Sequence, residues 1–93
     1  MRYIISYDIS EDKLRNKVAR VLEEFGERVQ FSVFECELTK EQYSNLIVKL
    51  QTLSLLIPRQ KYKIYIYKVE PHLIKEIRRV GKKPVIDKDV LVI

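Results

Sequence analysis

The sequence predicts a single α+β domain over residues 1–93, in which two helices pack on one β-sheet. Three observations predict this fold class. Segments of alternating apolar and polar residues, rich in β-branched and aromatic side chains, indicate strands. Two longer segments with apolar residues at three- and four-residue steps indicate helices. These segments follow each other as strand, helix, strand or strand pair, helix and strand.

The first strand is predicted over residues 2–8, and its last side chain is the carboxylate of Asp8. Ser10 is the expected N-cap of a helix over residues 11–25, because serine is a preferred cap and acidic residues follow it in the first turn. Gly26 is expected to end this helix in the left-handed conformation. Asp8 is therefore expected at the rim of the sheet, just before a helix begins.

Residues 28–38 again alternate, but eleven residues are long for one strand. They contain no Gly or Pro to mark a turn, so a bend or bulge near Ser32 is the expected way to divide them into two short strands. Thr39 and Gln42 then form a capping box that begins the second helix. The apolar face of this helix comprises Tyr43, Leu46, Ile47, Leu50 and Leu53. Pro58 marks its exit.

The last third of the chain contains one strong strand pattern, residues 62–69 (YKIYIYKV), whose two faces both mix apolar and basic side chains. Residues 73–80 fit either a short strand or a helical turn. Residues 90–93 form a short apolar strand that would favour aggregation unless it adds to a sheet, for example that of a second copy. The complete order indicates a ferredoxin-like βαββαβ sandwich with an extra C-terminal strand.

The net charge of +5 is unevenly distributed. Residues 1–57 carry eight basic and nine acidic side chains, net −1, whereas residues 58–93 carry ten basic and four acidic ones, net +6. A basic surface attracts the phosphates of RNA or DNA, but it also keeps a small domain soluble. The charge alone leaves both interpretations open.

Composition excludes several classes of protein. The single cysteine, Cys36, excludes an intrachain disulfide and a cysteine zinc site, and it is expected to be a small buried strand residue. The apolar stretch at the N-terminus is too short for a signal peptide and is soon followed by an acidic residue. No apolar run approaches the ~20 residues that span a bilayer. We therefore expect a cytoplasmic protein with no membrane contact. A chain this short buries only about 60% of its unfolded surface, so a homodimer would add to its core.

Asp8 is the candidate residue with the clearest chemistry. A carboxylate at a sheet rim can hold Mg²⁺, or Mn²⁺, together with waters and substrate phosphates, and such an ion can activate water for phosphodiester cleavage. One carboxylate is an incomplete site, and an aspartate at the end of a strand is commonly a turn or capping residue. A two-fold axis near the end of the first strand would bring two copies of Asp8 together.

Arg15, Lys17 and Arg28 flank this region and are the candidate phosphate ligands. Arg15 and Lys17 fit equally well on a solvated helix face, with Glu11 and Arg15 as an i,i+4 pair. His72, the only histidine, is expected to be a surface residue.

The motifs around Asp8 resemble those of a known family. Residues 7–10 (YDIS), 12–19 (DKLRNKVA), 26–35 (GERVQFSVFE) and 38–39 (LT) are similar to the small CRISPR-associated endoribonuclease of the adaptation module, the Cas-two family. The resemblance implies a ferredoxin-like fold, a homodimer completed by exchange of the C-terminal strand, and a metal-dependent nuclease with Asp8 as its catalytic and metal-binding aspartate.

Other positions of the same motifs are occupied by Tyr7, Arg15, Arg28, Ser32 and Phe34, while Lys17 stands where some relatives have Arg and Phe31 where Tyr is usual. By this resemblance we expect Arg15, Lys17 and Arg28 to bind nucleic acid. Tyr7, Ser32 and Phe34 are expected to support the site.

Three functions remain open. The first is a Mg²⁺-dependent endonuclease that cleaves single-stranded RNA or double-stranded DNA and acts in antiviral defence and spacer acquisition. The second, also implied by the resemblance, is a non-catalytic dimeric scaffold that bridges the CRISPR integrase and holds protospacer DNA. A generic ferredoxin-like regulatory module is a third interpretation, and it predicts no salt-sensitive binding of nucleic acid.

Overall fold

The computed structural model describes residues 1–56, 62–79 and 91–92 of the chain. The elements are, in chain order, β1 (Arg2–Ile9), α1 (Asp12–Phe25), β2 (Glu27–Gln30), β3 (Val33–Glu37), α2 (Lys40–Leu56), β4 (Tyr62–Val69), a 3₁₀ helix (Pro71–Glu76), β5 (Arg78–Arg79) and β6 (Leu91–Val92). The first six elements have the βαββαβ order of the ferredoxin-like fold, which confirms the predicted fold class.

The main sheet has the strand order β2-β3-β1-β4, with β1 antiparallel to both of its neighbours. Because side chains alternate along a strand, Ile5, Tyr7 and Ile9 point to one face, where all three are buried. This face packs against the two helices. The core cluster joins residues of both helices, of β1 and of β3, together with Leu38, which follows β3: Ile5, Tyr7, Ile9, Leu14, Val18, Ala19, Leu22, Phe34, Cys36, Leu38, Leu46 and Leu50.

The opposite face of the sheet, called the open face below, is partly exposed. Alternation and strand register assign to it Ile4, Ser6 and Asp8 of β1, Val33 and Glu35 of β3, and Lys63, Tyr65 and Tyr67 of β4. Tyr65 and Tyr67 are 47% and 54% exposed, and their rings stack on each other with centroids 6.2 Å apart. The open face therefore presents aromatic surface without a covering helix in the described part of the chain.

The N-cap of α1 is Glu11, so the prediction of Ser10 as the cap was wrong. The Glu11 carboxylate accepts hydrogen bonds from the backbone N–H groups of Lys13 at 3.0 Å and Leu14 at 2.5 Å. Its backbone is extended (φ −77°, ψ 122°), and the helix begins only at Asp12. The longer glutamate side chain can bend back over the first turn from a position one residue closer to the helix, which leaves Ser10 outside it.

The predicted left-handed conformation of Gly26 was also wrong. This residue is extended (φ −170°, ψ −160°), and its N–H donates to the Leu22 carbonyl at 3.0 Å. Glycine is needed here for space, because a Cβ at this position would lie 2.5 Å from Cys36 Sγ, 2.9 Å from Cys36 Cα and closer still to the Glu35 carbonyl oxygen. The chain leaving α1 therefore touches β3 directly.

The structure confirms the division of residues 28–38 and the start of α2. The chain turns at Phe31 and Ser32 between β2 and β3, with a register shift between Arg28 and Gln30. The capping box is formed by two reciprocal hydrogen bonds, from Thr39 N to Gln42 Oε1 at 2.9 Å and from Gln42 N to Thr39 Oγ1 at 3.1 Å.

The C-terminal region combines both alternatives predicted for residues 73–80, since the 3₁₀ helix is followed by β5. Residues 91–92, which were expected to join a sheet, pair in parallel with β5 of the same chain. The predicted helix exit at Pro58 lies outside the described residues. In the parts of the chain that are described, no helix is both long and apolar enough to cross a membrane.

Cys36 confirms its predicted role as a buried strand residue. Its side chain is fully buried in β3, and this burial, reinforced by the negative charge of Glu35, raises the pKa of the thiol to about 11. At neutral pH the thiol is therefore protonated, and a protonated thiol is a poor nucleophile.

Replacing Gly26 with alanine should destabilise the fold. The added methyl group has to displace the backbone of Glu35 and Cys36 in β3, and overpacking of this kind costs about 1–3 kcal/mol. The free energy of unfolding in urea measures the effect. Ser44→Ala, on the exposed side of α2, is the control and should change this free energy by no more than about 0.5 kcal/mol. An unchanged urea midpoint for Gly26→Ala would contradict the close contact between Gly26 and β3.

The Cys36 thiol should resist a water-soluble disulfide reagent in the native protein at pH 8. Its burial and its pKa of about 11 both oppose thiolate formation. Labelling should reach one thiol per chain once urea unfolds the protein, because the chain has one cysteine. Rapid labelling without denaturant would show that the thiol is accessible.

Candidate functional site

Asp8 lies near the C-terminal end of β1, on the open face, and is exposed. In the antiparallel register its neighbour on β4 is Lys63, which is also exposed. Within the described part of the chain, neither side chain has an ion-pair partner within 4 Å. The carboxylate of Asp8 is therefore available to a ligand.

Tyr7 fixes the direction in which Asp8 points. Its backbone N–H donates to the Ser32 carbonyl at 3.0 Å, and its phenol donates to the Phe31 carbonyl at 3.2 Å. The Tyr7 ring also stacks on Phe34, with ring centroids 6.3 Å apart. Tyr7 is thus held under the helices and against the β2–β3 turn, and the next side chain, Asp8, must project to the open face.

The structure brings Arg28 to the same group of residues. Its guanidinium lies over the ring of Phe34, with the Cζ atom 5.3 Å from the ring centroid, and one of its nitrogens is 3.6 Å from the carboxylate of Glu23. The Arg28 side chain is still 41% exposed. Tyr7, Ser32, Phe34 and Arg28 are therefore neighbours, but Phe34 and Arg28 lie on the helix side of the sheet, level with Ile5 of β1, whereas Asp8 points to the open face.

Arg15 holds the loop that follows Asp8. Its guanidinium donates to the carbonyl oxygens of Ile9 at 3.2 Å and Ser10 at 3.3 Å, and it pairs with the carboxylate of Asp12. These contacts replace the Glu11–Arg15 pair that the sequence suggests. Lys17 is half-buried on α1 and makes no ion pair with the residues that are described.

The two ends of the open face differ in charge pairing. At the end opposite Asp8, Glu37 accepts hydrogen bonds from the N-terminal ammonium group at 3.0 Å and from Arg2 at 3.1 Å, and Arg2 lies 3.5 Å from Glu35. The hydrogen bonds from the N-terminus and Arg2 lower the pKa of Glu37. The acidic groups at that end are therefore neutralised, whereas Asp8 is not.

Asp8 is the one carboxylate that a single protomer would offer to a divalent metal at this end of the sheet. Across residues 1–56, 62–79 and 91–92, no three His, Cys, Asp or Glu side chains are grouped so that they could hold a metal ion. The acids that follow Asp8 have other partners, since Glu11 caps α1 and Asp12 pairs with Arg15. One protomer thus offers one carboxylate, which suits Mg²⁺ bound by one or two carboxylates, waters and substrate oxygens.

The sequence does not identify Lys63 or Phe31 as a site candidate. The alternation of residues 62–69 can be seen in the sequence, but only the β1–β4 register places Lys63 beside Asp8. Phe31 is 71% exposed at the β2–β3 turn, and its carbonyl binds Tyr7. The sequence predicts a bend near Ser32, but only the hydrogen bond from Tyr7 shows that this turn lies against β1. His72 is exposed in the 3₁₀ helix, as expected for a surface residue.

Comparisons with known proteins bear on all of these residues. The family model for CRISPR associated protein Cas2 matches residues 1–77. A CRISPR-associated endoribonuclease Cas2 of Chloroflexus aurantiacus is 39% identical over 84 residues, which cover 90% of this chain and 88% of the relative. A CRISPR-associated endonuclease Cas2 of Halalkalibacterium halodurans is 33% identical over 92 residues, which cover 94% of this chain and 93% of the relative.

A solved structure described as a partial Cas6-RT-Cas1–Cas2 complex contains a chain that is 30% identical and superposes with a TM-score of 0.76. The match covers 92% of this chain and 91% of the solved one. These findings confirm the resemblance seen in the motifs around Asp8 and the class of CRISPR-associated nucleases that it indicated. The family match extends from β1 through the 3₁₀ helix and includes every candidate site residue, and the chain belongs to the CRISPR-associated protein Cas2 family.

Proposed function

We propose that this chain is an endonuclease that acts as a homodimer, in which two copies of Asp8 hold Mg²⁺ or Mn²⁺ against a phosphodiester. The proposal is supported by the exposure of the Asp8 carboxylate and by its lack of an ion-pair partner among the described residues. It projects from the open face near the C-terminal end of β1, and no ion pair within the described residues neutralises it. A buried and hydrogen-bonded neighbour, Tyr7, holds it in place.

The open face supports the proposed homodimer. Tyr65 and Tyr67 expose about half of their surface there, and Ile4 and Val33 lie beside them in the strand register. Packing two such faces against each other removes this apolar surface from water. Since Asp8 belongs to the same face, this packing would also bring the two Asp8 carboxylates towards each other.

The paired carboxylates would bind the metal, and the ion would activate a water molecule and stabilise the leaving oxygen of the phosphodiester. A carboxylate site that has no His or Cys suits Mg²⁺ or Mn²⁺ better than zinc. Two negatively charged carboxylates in contact repel each other, and a bound cation offsets that repulsion. The metal would therefore favour the same arrangement that cleavage requires.

The candidate phosphate ligands differ in whether their charged groups already have hydrogen-bond or ion-pair partners. Lys17 has no competing ion pair among the described residues, and Arg28 keeps 41% of its side chain exposed. Arg15 is engaged with backbone carbonyls and Asp12, so it would hold the loop and offer its remaining donors to a phosphate. We propose RNA or DNA as the substrate, because the relatives include an endoribonuclease and an endonuclease.

A scaffold role is the second candidate function. It is favoured by the similarity to a chain solved within a complex whose description includes Cas1. In this role the homodimer would bind the CRISPR integrase and hold DNA without cleaving it. The two functions differ in their need for Asp8, since a scaffold requires no carboxylate at the end of β1.

Asp8→Asn should abolish cleavage, because the amide keeps the shape of the side chain but loses the charge that holds the metal. We expect a loss on the order of 100-fold or more in the rate of cutting labelled single-stranded RNA or double-stranded DNA with Mg²⁺. Glu41→Gln, which removes an exposed carboxylate on the first turn of α2, should retain the wild-type rate.

Wild-type cleavage by purified Asp8→Asn would exclude Asp8 as the metal ligand. If the wild-type protein binds DNA but cuts neither substrate with Mg²⁺ or Mn²⁺, the scaffold role remains and the nuclease proposal fails. Spacer acquisition in cells separates the functions further, because the scaffold role predicts that Asp8→Asn leaves acquisition intact.

A further inference from the structure

Lys63 is the cross-strand neighbour of Asp8. The antiparallel register pairs Asp8 of β1 with Lys63 of β4, and such pairs have Cβ atoms about 4.5–5.5 Å apart on the same face of the sheet. The adjacent β4 side chains, Tyr62 and Ile64, are partly buried against the core on the helix side. Alternation therefore directs Lys63 to the open face, beside Asp8.

The two neighbours do not neutralise each other. Their charged atoms form no ion pair within 4 Å, although both side chains are exposed and could meet. Elsewhere on the same face Arg2 does bind acidic groups, at 3.5 Å from Glu35 and 3.1 Å from Glu37. In the described part of the sheet, the Asp8 end thus holds an unpaired carboxylate and an unpaired ammonium group next to each other.

This juxtaposition suits a phosphodiester. A carboxylate can hold the metal, while a lysine acts as a point charge for a phosphate oxygen. Positive groups aimed at a transferring phosphoryl group also stabilise the charge that develops on it. A lysine consumed by a salt bridge with Asp8 would serve neither purpose.

We propose that Lys63 is a phosphate-binding residue of the Asp8 site, whose ammonium group contacts a non-bridging oxygen of the phosphodiester held against Asp8. This inference rests on the proposed nuclease function and identifies a group that holds the substrate there. Its position beside Asp8 distinguishes Lys63 from a lysine that contributes only general attraction to a polyanion.

Lys68 provides a matched comparison within β4. It is exposed, has no ion-pair partner among the described residues and lies opposite Tyr3 in the register. Being an odd number of residues from Lys63, it points to the other face of the sheet. Lys63→Met and Lys68→Met therefore remove the same charge from the same strand, but only the first removes it from the side of Asp8.

The first measurement is binding, made in the Asp8→Asn background so that the substrate is not cut. Affinity for a fluorescently labelled single-stranded RNA is measured by anisotropy over a series of salt concentrations. Lys63→Met should weaken binding and reduce the slope of log affinity against log salt by about 0.7 for each phosphate that the protein no longer neutralises. Lys68→Met should change the slope much less, and Lys63→Arg should restore most of it. Lys63→Gln serves as a second charge-removing variant if Lys63→Met does not fold.

The second measurement is cleavage, with Asp8 intact. Lys63→Met should lower kcat/KM on the order of tenfold, while Lys68→Met stays near the wild-type value. Urea unfolding of both variants checks that their free energies of unfolding are similar. Equal slopes and equal kcat/KM values for Lys63→Met and Lys68→Met would overturn the inference.

Failure of the nuclease proposal gives a different result. If the wild-type protein cuts no substrate but Lys63→Met alone still changes the salt slope, the phosphate-binding role of Lys63 stands and the nuclease proposal fails. If Asp8→Asn abolishes cleavage and Lys63→Met leaves both binding and kcat/KM unchanged, the nuclease proposal stands and Lys63 has no part in it.

Discussion

The burial of Tyr7 is the constraint on which the candidate site depends. Its ring lies in the core against Phe34, and its phenol and backbone N–H both bind the β2–β3 turn. Side chains alternate along a strand, so a buried Tyr7 leaves Asp8 only the open face. A slip of one residue in β1 would bury the Asp8 carboxylate under the helices and expose Tyr7, at a large cost in free energy.

The same alternation organises β4, and together the two strands give the open face its chemical character. Half-exposed aromatic rings occupy its middle, a neutralised acidic cluster occupies one end, and Asp8 with Lys63 occupies the other. Aromatic surface favours contact with a second protein surface, whereas unpaired charges favour a metal and a phosphate. One sheet face can thus serve both the assembly of a dimer and the binding of a substrate.

Much of the fold could be predicted because its signals are local. The capping box of Thr39 and Gln42 and the alternation of residues 62–69 act over a few residues, and the structure confirms both. Gly26 shows where local reasoning fails, since the atoms that exclude a Cβ belong to Glu35 and Cys36, nine and ten positions away. The position of Asp8 at the end of its strand could be predicted from the alternation of residues 2–8 alone. To predict that Lys63 lies beside Asp8, one would need to know how two strands pair that are more than fifty residues apart in the sequence.

Two copies of Asp8 should meet when the open faces of two protomers pack together, and a crystal structure of the protein grown with Mn²⁺ would show whether they do. Anomalous scattering locates the ion independently of the protein atoms. We expect a two-fold dimer that buries Tyr65 and Tyr67, with one ion between the Asp8 carboxylates and carboxylate oxygens about 2 Å from the metal. A dimer formed through another surface, or one whose Asp8 carboxylates lie too far apart for one ion to bridge, would contradict this expectation.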